Sequence, residues 1–356
     1  MGELLFRILI GFLVTAGVTF AAVAGFRKIW GNQKTFRLMV SGVLAFVVLL
    51  VFVGAIVRAT GAGLGCPDWP TCWGQLIPPW KVDQVDLDKI NYERFERKAE
   101  RLGRDPSTVT REHILESFNP VHTWTEFINR LTSLPVGFFS LAAVIAACYL
   151  PRGSRTKLLL LAIASLVIVL INAVMGAMVV YSGLKPGIIS LHLALAMLLI
   201  FILVYCRREV SSKPPFERGK KLAPWVWGLL ALVMVEGILG TQVREMTDVL
   251  AKSHKGEARA DWIWELEQSF IYLIHRSFSW LIVLLMGFIA WKAKALGVLE
   301  VRAQVMCALV VSMMVMGLVL AQVGIFPWVQ VLHVGVAALM VTVLCDWSLV
   351  LQRAKS

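Results

Sequence analysis

The stretch LMVSGVLAFVVLLVFVGAIVRATGAGLGCPDWPTCWG, Leu38 to Gly74, changes character halfway along. From Leu38 to Val57 it carries no charge, and it is long enough to cross about 30 Å of hydrocarbon as a helix. Lipid offers no water to the backbone N–H and C=O groups, so such a run must satisfy them internally. Beyond Arg58 the chain turns into a loop rich in Gly, Pro and Trp that holds Cys66 and Cys72. A membrane span that empties into a cysteine-bearing loop predicts an all-α membrane protein with that loop on an oxidising face.

The apolar signature recurs along the chain. Of 356 residues, 58% are hydrophobic and 16% charged, and the mean hydropathy is +0.73, so the expected class is a polytopic membrane protein. The candidate spans are roughly 5–26, 38–57, 124–149, 157–180, 188–206, 222–243, 268–291, 303–322 and 328–350. The first has no clear basic segment before it and no small-residue cleavage site after it, so it reads as a retained span rather than a signal peptide.

Basic residues in alternate short connections set the orientation. Arg27, Lys28, Lys34 and Arg37 lie in one, and Arg152, Arg155 and Lys157 in the next. Arg207, Arg208, Lys213, Arg218, Lys220 and Lys221 crowd a third, and Lys292, Lys294 and Arg302 mark a fourth. These share the cytoplasmic side. The N-terminus is then outside, and the C-terminus with Arg353 and Lys355 inside. The net charge of +12 thus records topology and contact with anionic membrane lipids, and no nucleic-acid module is evident. Two larger connections, about 58–123 and 244–267, fall outside. The first contains DLDKINYERFERKAERLGRD, Asp86 to Asp105, whose charge pattern is compatible with a surface helix.

On that face, Cys66 and Cys72 are spaced for a disulfide in a compact loop. Two uses are open for the bridge: a structural staple, or a redox or cofactor-delivery role. Cys148, Cys206, Cys307 and Cys345 lie in or near apolar spans toward the cytoplasmic side and read as small buried hydrophobes.

The chain has only six histidines. His192, His275 and His333 fall near the outer ends of three spans, at matched depth. Imidazoles grouped at one depth of an apolar bundle suit a buried haem iron, and His275 with His333 makes an axial pair. His113 and His254 read as solvated surface.

The sequence also repeats itself. Gly176 to His192 and Gly317 to His333 share one interval, GAIVRAT aligns with GTQVREMT, and EFINR (Glu126–Arg130) aligns with YLIHR (Tyr272–Arg276). These matches predict two related four-helix units, 38–206 and 222–350. An N-terminal helix and loop (1–37), a basic linker (207–221) and a cytoplasmic tail (351–356) complete the organisation. Where the second unit has Tyr272, His275 and His333, the first has Glu126, Asn129 and His192. The second therefore reads as a resident-cofactor site, and the first as a site with an open or labile iron position.

Glu126 is costly at that depth unless paired or neutralised, which favours a functional role over a helix-dipole contact alone. His122 stands one helical turn earlier, as an interfacial cap, a proton relay or an alternative ligand. Arg130 and Arg276 follow the matched Asn129 and His275. For each, pairing with a haem propionate and snorkelling to the interface are both open.

Taken together, VRATGAGLGCPDWPTCWG, VHTWTEFINR, SLHLALAM, FIYLIHRSF and VQVLHVGVAA resemble the haem A synthase family of integral-membrane haem-modifying enzymes, over residues 38–350. The resemblance implies an oxidoreductase that converts haem O to haem A. In that reaction the C8 methyl group becomes a formyl group through a hydroxylated intermediate. It also implies haem b on His275 and His333, substrate haem O near His192, Glu126 as the catalytic carboxylate, and Cys66 with Cys72 as the family's cysteine pair. Implied partners are a haem O synthase, an electron donor and cytochrome oxidase assembly factors, in the bacterial cytoplasmic membrane. The departure is Asn129, which stands where the family pattern has a second histidine. The alternative class is a non-enzymatic transmembrane haem protein that transfers electrons.

Overall fold

The computed structural model describes residues 33–90, 92–101, 105–184, 186–210, 217–254, 256–298 and 301–352. The span at 5–26 and the basic tail residues Arg353 and Lys355 lie outside the described residues. All eight remaining spans are helices long and apolar enough to cross a membrane, which makes this an all-α, multi-pass membrane protein. Large apolar side chains face outward, with Leu160 62% and Leu284 68% exposed, as hydrocarbon surroundings allow and water would not.

Residues up to Ile188 cluster as one unit and those from Ile189 as a second. In the first, α1 (Gln33–Ala59) leads through the cysteine loop to α2 (Tyr92–Arg101) and α3 (Arg111–Glu116), then to α4 (Pro120–Cys148) and α5 (Arg152–Tyr181). α1 packs along α4, and α4 along α5. Gly42 makes the first contact close: a Cβ there would stand 2.7 Å from the Phe139 ring, which also stacks on Phe46 at 5.6 Å. Asn119 caps α4, its Oδ1 accepting from the His122 N–H at 3.1 Å, and Pro120 occupies the first turn where no N–H is needed.

The connection from α1 to α4 has its own small core. Cys66, Cys72, Trp73, Ile90 and Ile114 are buried, and Phe95 and Phe118 pack against them. The expected charged helix is α2, within the 86–105 segment.

α6 (Pro186–Glu209) carries residues of both clusters. From Ile189 on it packs with the second unit, because its side chains meet α7 (Ala223–Ser253). Ser190 bonds Thr241 at 2.6 Å, Met197 fills the space beside Gly237, and Phe201 lies 5.9 Å from Trp227. α8 (Arg259–Gln268), α9 (Phe270–Ala295), α10 (Val301–Leu318) and α11 (Pro327–Gln352) complete this unit. α7 packs on α9 and α11, and α10 on both of those. α11 is the central helix: 56% of its span is buried, against 17% for α9 and α10.

Two features depart from the hydropathy reading. α7 continues to Ser253, about three turns past the expected end of its span. Hydropathy falls there but helicity does not, since Arg244 and Asp248 pair at 2.8 Å one turn apart. The connection 244–267 is therefore mostly helical. At the other end, α10 closes in a π turn, Val319–Val323, whose Leu320 and Ala321 carbonyls accept from Arg259 Nη2 at 2.8 and 3.1 Å.

Asp346 on α11 accepts from both Arg208 on α6 and Arg302 in the first turn of α10, the latter at 3.0 Å, and so ties three helices at one end of the unit. Asp346→Ala leaves two guanidinium groups without that carboxylate. Because the pairs are partly exposed, the expected cost is about 1–3 kcal/mol rather than the full penalty of a buried pair. Thermal melting in detergent should show a lower midpoint, largely restored by Asp346→Glu; an unchanged midpoint refutes the tie.

Candidate functional site

The first cluster of chemistry lies where the cysteine loop meets α4. The Cys66 and Cys72 sulfurs are bonded at 1.98 Å, so the expected disulfide is present. Glu126 is 3% exposed. Its Oε2 accepts from the Cys66 backbone N–H at 2.8 Å and its Oε1 from Arg130 Nη2 at 2.5 Å. Arg130 also donates through Nη1 to the carbonyls of Asp68 (2.7 Å) and Thr71 (2.9 Å), and through Nη2 to that of Cys66 (3.2 Å). This arginine clamps the loop to the carboxylate.

The loop is shaped to receive that clamp. Asp68 accepts from the backbone N–H groups of Trp73 (2.7 Å) and Gly74 (3.1 Å) and from the Thr71 hydroxyl. The Trp73 indole N–H reaches the Gly65 carbonyl at 2.8 Å and Thr123 Oγ1 at 3.0 Å. Gly65 lies so close to α4 that a Cβ would stand 2.3 Å from the His122 carbonyl oxygen. Because α4 begins at Pro120, His122 and Glu126 do share a helical face, but no hydrogen bond joins them among the described residues. Asn129 lies beside Gly54, whose Cβ would be 3.9 Å from its Oδ1, and that oxygen has no hydrogen-bond partner among the described residues.

The second cluster lies in the other unit. His275 stands in the second turn of α9, which Ser269 caps, and His333 in the second turn of α11. Nδ1 of His333 is buried without a hydrogen bond among the described residues. A glycine flanks each ring: a Cβ on Gly240 would be 3.4 Å from His275 Cε1, and one on Gly317 3.8 Å from His333 Cε1. No three His, Cys, Asp or Glu side chains converge to hold a bare ion among the described residues. Two imidazoles with glycine beside each fit an iron whose other four ligands are ring nitrogens of a macrocycle.

The remaining predicted residues are not gathered into these clusters. His192 on α6 belongs to the second unit and Glu126 to the first, so no single unit unites them. His192 Nδ1 is buried with no partner among the described residues. Arg276 is exposed, its guanidinium 6.0 Å above the Tyr272 ring. His254 is more engaged than a solvated residue, pairing with Glu265 at 3.2 Å and stacking on Trp262.

Sequence reasoning passed over Glu236 on α7, whose Oε1 lies 3.1 Å from His275 Nδ1. The signal was present, since VMVEGIL places one carboxylate in an otherwise apolar span and an intramembrane acid is costly without a partner.

The fold is that of a multi-pass membrane protein. Residues 37–345 match the family described as Cytochrome oxidase assembly protein (COX15-CtaA), and the chain belongs to it. It is 26% identical over 242 residues to a protein of Bartonella tribocorum, a match covering 65% of this chain and 62% of that one. To a Bacillus pumilus protein it is 25% identical over 225 residues, covering 60% of this chain and 61% of the relative. To a Sphingopyxis alaskensis protein it is 25% identical over 328 residues, covering 85% and 87%. All three bear the name Heme A synthase. The chain thus spans about three-fifths of the length of the first two of these relatives.

If the loop is seated on α4 as described, Gly65→Ala forces backbone apart and costs about 1–3 kcal/mol or more. Gly137→Ala on the same helix meets nothing within 4 Å and should be neutral or slightly stabilising. Limited proteolysis of the 61–90 segment should accelerate in the first variant only; equal rates contradict the seating.

Proposed function

We propose that this protein is a haem A synthase of the bacterial cytoplasmic membrane, oxidising the C8 methyl group of haem O to a formyl group through a hydroxylated stage. The cysteine loop faces the extracytoplasmic side, with the N-terminus outside and the C-terminus in the cytoplasm. Family membership and the names of its relatives support the reaction. The observation that carries the reading is the inequality of two like niches. Gly240 flanks an imidazole, His275, whereas Gly54 flanks an amide, Asn129. An amide is a poor iron ligand beside imidazole, so the second unit suits a resident haem b and the first a haem whose iron stays open to chemistry.

In this reading His275 and His333 hold haem b, and His192 is the histidine offered to haem O. When bound, haem b supplies one-electron redox chemistry. Glu126 acts as acid/base or positioning group near the methyl being oxidised. Arg130 and the Cys66 N–H fix that carboxylate in place, which limits the reorganisation it must undergo during proton transfer. The Cys66–Cys72 bridge holds the peptide that carries this donor. Arg276 is the arginine available for a propionate. Suited partners are a haem O synthase, an electron donor and cytochrome oxidase assembly factors.

Membranes containing the protein, supplied with haem O and a reductant, should yield the hydroxylated species and haem A by mass spectrometry of extracted haem. Glu126→Gln should slow conversion about 10²-fold or more while leaving haem b occupancy near wild type. A folded protein that binds haem O and a reducible haem b, yet forms neither oxidised product across donors, is instead a non-enzymatic electron-transfer haem protein. Separately, His275→Ala and His333→Ala should each abolish the low-spin bis-imidazole spectrum, and its survival in both rejects that ligand pair.

A further inference from the structure

Glu236 sits in the middle of ALVMVEGILG, Ala231 to Gly240, with a side chain only 12% exposed. A carboxylate in such a span is kept only where something compensates its lost hydration. Its Oε1 lies 3.1 Å from His275 Nδ1, and the Ser279 hydroxyl donates to the same oxygen. Oε2 is buried and has no hydrogen-bond partner among the described residues. Gly240, one turn further along α7, faces the Cε1 edge of the same imidazole. The helix thus offers His275 a carboxylate at Nδ1 and no side chain at its Cε1 edge.

We infer that Glu236 is the positioning residue for His275, accepting its Nδ1–H so that the Nε2 lone pair is presented to the iron. The inference rests on His275 being a haem b ligand, as proposed above. At 3.1 Å the imidazole is turned off the line of a hydrogen bond, an alignment set by its soft terminal torsion. Metal-bound histidines commonly donate their second N–H to a carboxylate, which fixes the tautomer and strengthens the ring as a donor. A stronger donor favours ferric over ferrous iron. His333 Nδ1 has no such acceptor among the described residues, so the two axial ligands are unequal, with His275 the stronger. Ser279 tempers the effect, since its hydroxyl competes with Nδ1–H for the same carboxylate oxygen. That hydroxyl has an alternative acceptor in the His275 carbonyl at 3.0 Å.

The test is a spectroelectrochemical titration of haem b in the purified full-length protein, with the ferric low-spin resonance recorded beside it. Glu236→Gln should keep the bis-imidazole spectrum and move the ferric/ferrous equilibrium about tenfold toward ferrous, which is ~59 mV upward for one electron. Ser279→Ala keeps the charge and frees the carboxylate for His275, so it should shift the equilibrium the opposite way, by a smaller factor. That opposite sign separates positioning from the loss of a nearby charge or of packing. If Glu236→Gln loses haem b, Ser279→Ala alone decides: a downward shift supports the inference and an unchanged or raised potential overturns it. Unchanged potentials in both variants also overturn it, while loss of the spectrum in His275→Ala leaves the ligand reading intact. Retention of that spectrum in His275→Ala removes the ligand reading, and this inference with it.

Discussion

A carboxylate placed within an apolar helix loses the water that stabilises it, and the protein must supply donors or cations in its stead. Three acidic side chains in these spans obey that constraint, and each organises its surroundings. Glu126 draws in Arg130 and the Cys66 peptide, Glu236 draws in His275 and Ser279, and Asp346 draws in Arg208 and Arg302. In every case at least one partner comes from an element other than the acid's own, so each acid both fixes a junction and orders polar groups that would otherwise be scattered. Apolar packing brings these helices together. The acids determine which polar atoms meet.

The first and second of these junctions differ in a way that the two-repeat reading makes orderly. Gly54 beside Asn129 and Gly240 beside His275 are matched positions of the repeat, each within its own unit. One turn before Gly240 stands Glu236; one turn before Gly54 stands Leu50. An imidazole that ligates iron gains from a carboxylate behind it, whereas an amide has no second ring nitrogen to hold. On that reading, His275 with Glu236 in one unit and Asn129 with Leu50 in the other are a single difference seen at two places.

Much of the fold could be read from hydropathy, because lipid leaves the backbone so few options. The eight described spans fall where the apolar runs are, and the paired cysteines are joined. What hydropathy could not reveal is where helices continue past the hydrocarbon, as α7 does through Arg244 and Asp248, since ion pairs support helix there without any apolar signal. The candidate residues were legible as residue types at matched depth, but their partners were not. Arg130 read as a propionate ligand or a snorkelling cation because nothing in the sequence places the carbonyls of residues 66, 68 and 71 around it. Glu236 stood out as one acid in an apolar run, but nothing in the sequence places His275 of another helix beside it.

The clamp around Glu126 also changes what the cysteine loop is. The peptide of Cys66 donates its N–H to the carboxylate while its carbonyl accepts from Arg130, and the same arginine holds the loop at Asp68 and Thr71. A displacement of the loop must therefore break contacts to both charged groups at once. Nor can the loop deform locally to avoid this, because Cys66, Cys72 and Trp73 are buried in its own core and Gly65 is pressed against the backbone of α4. Such a loop is poorly suited to act as a flexible cover that opens while the site stays formed. It behaves as one wall of the site, so the disulfide and the carboxylate belong to a single rigid arrangement rather than to two devices that happen to be neighbours.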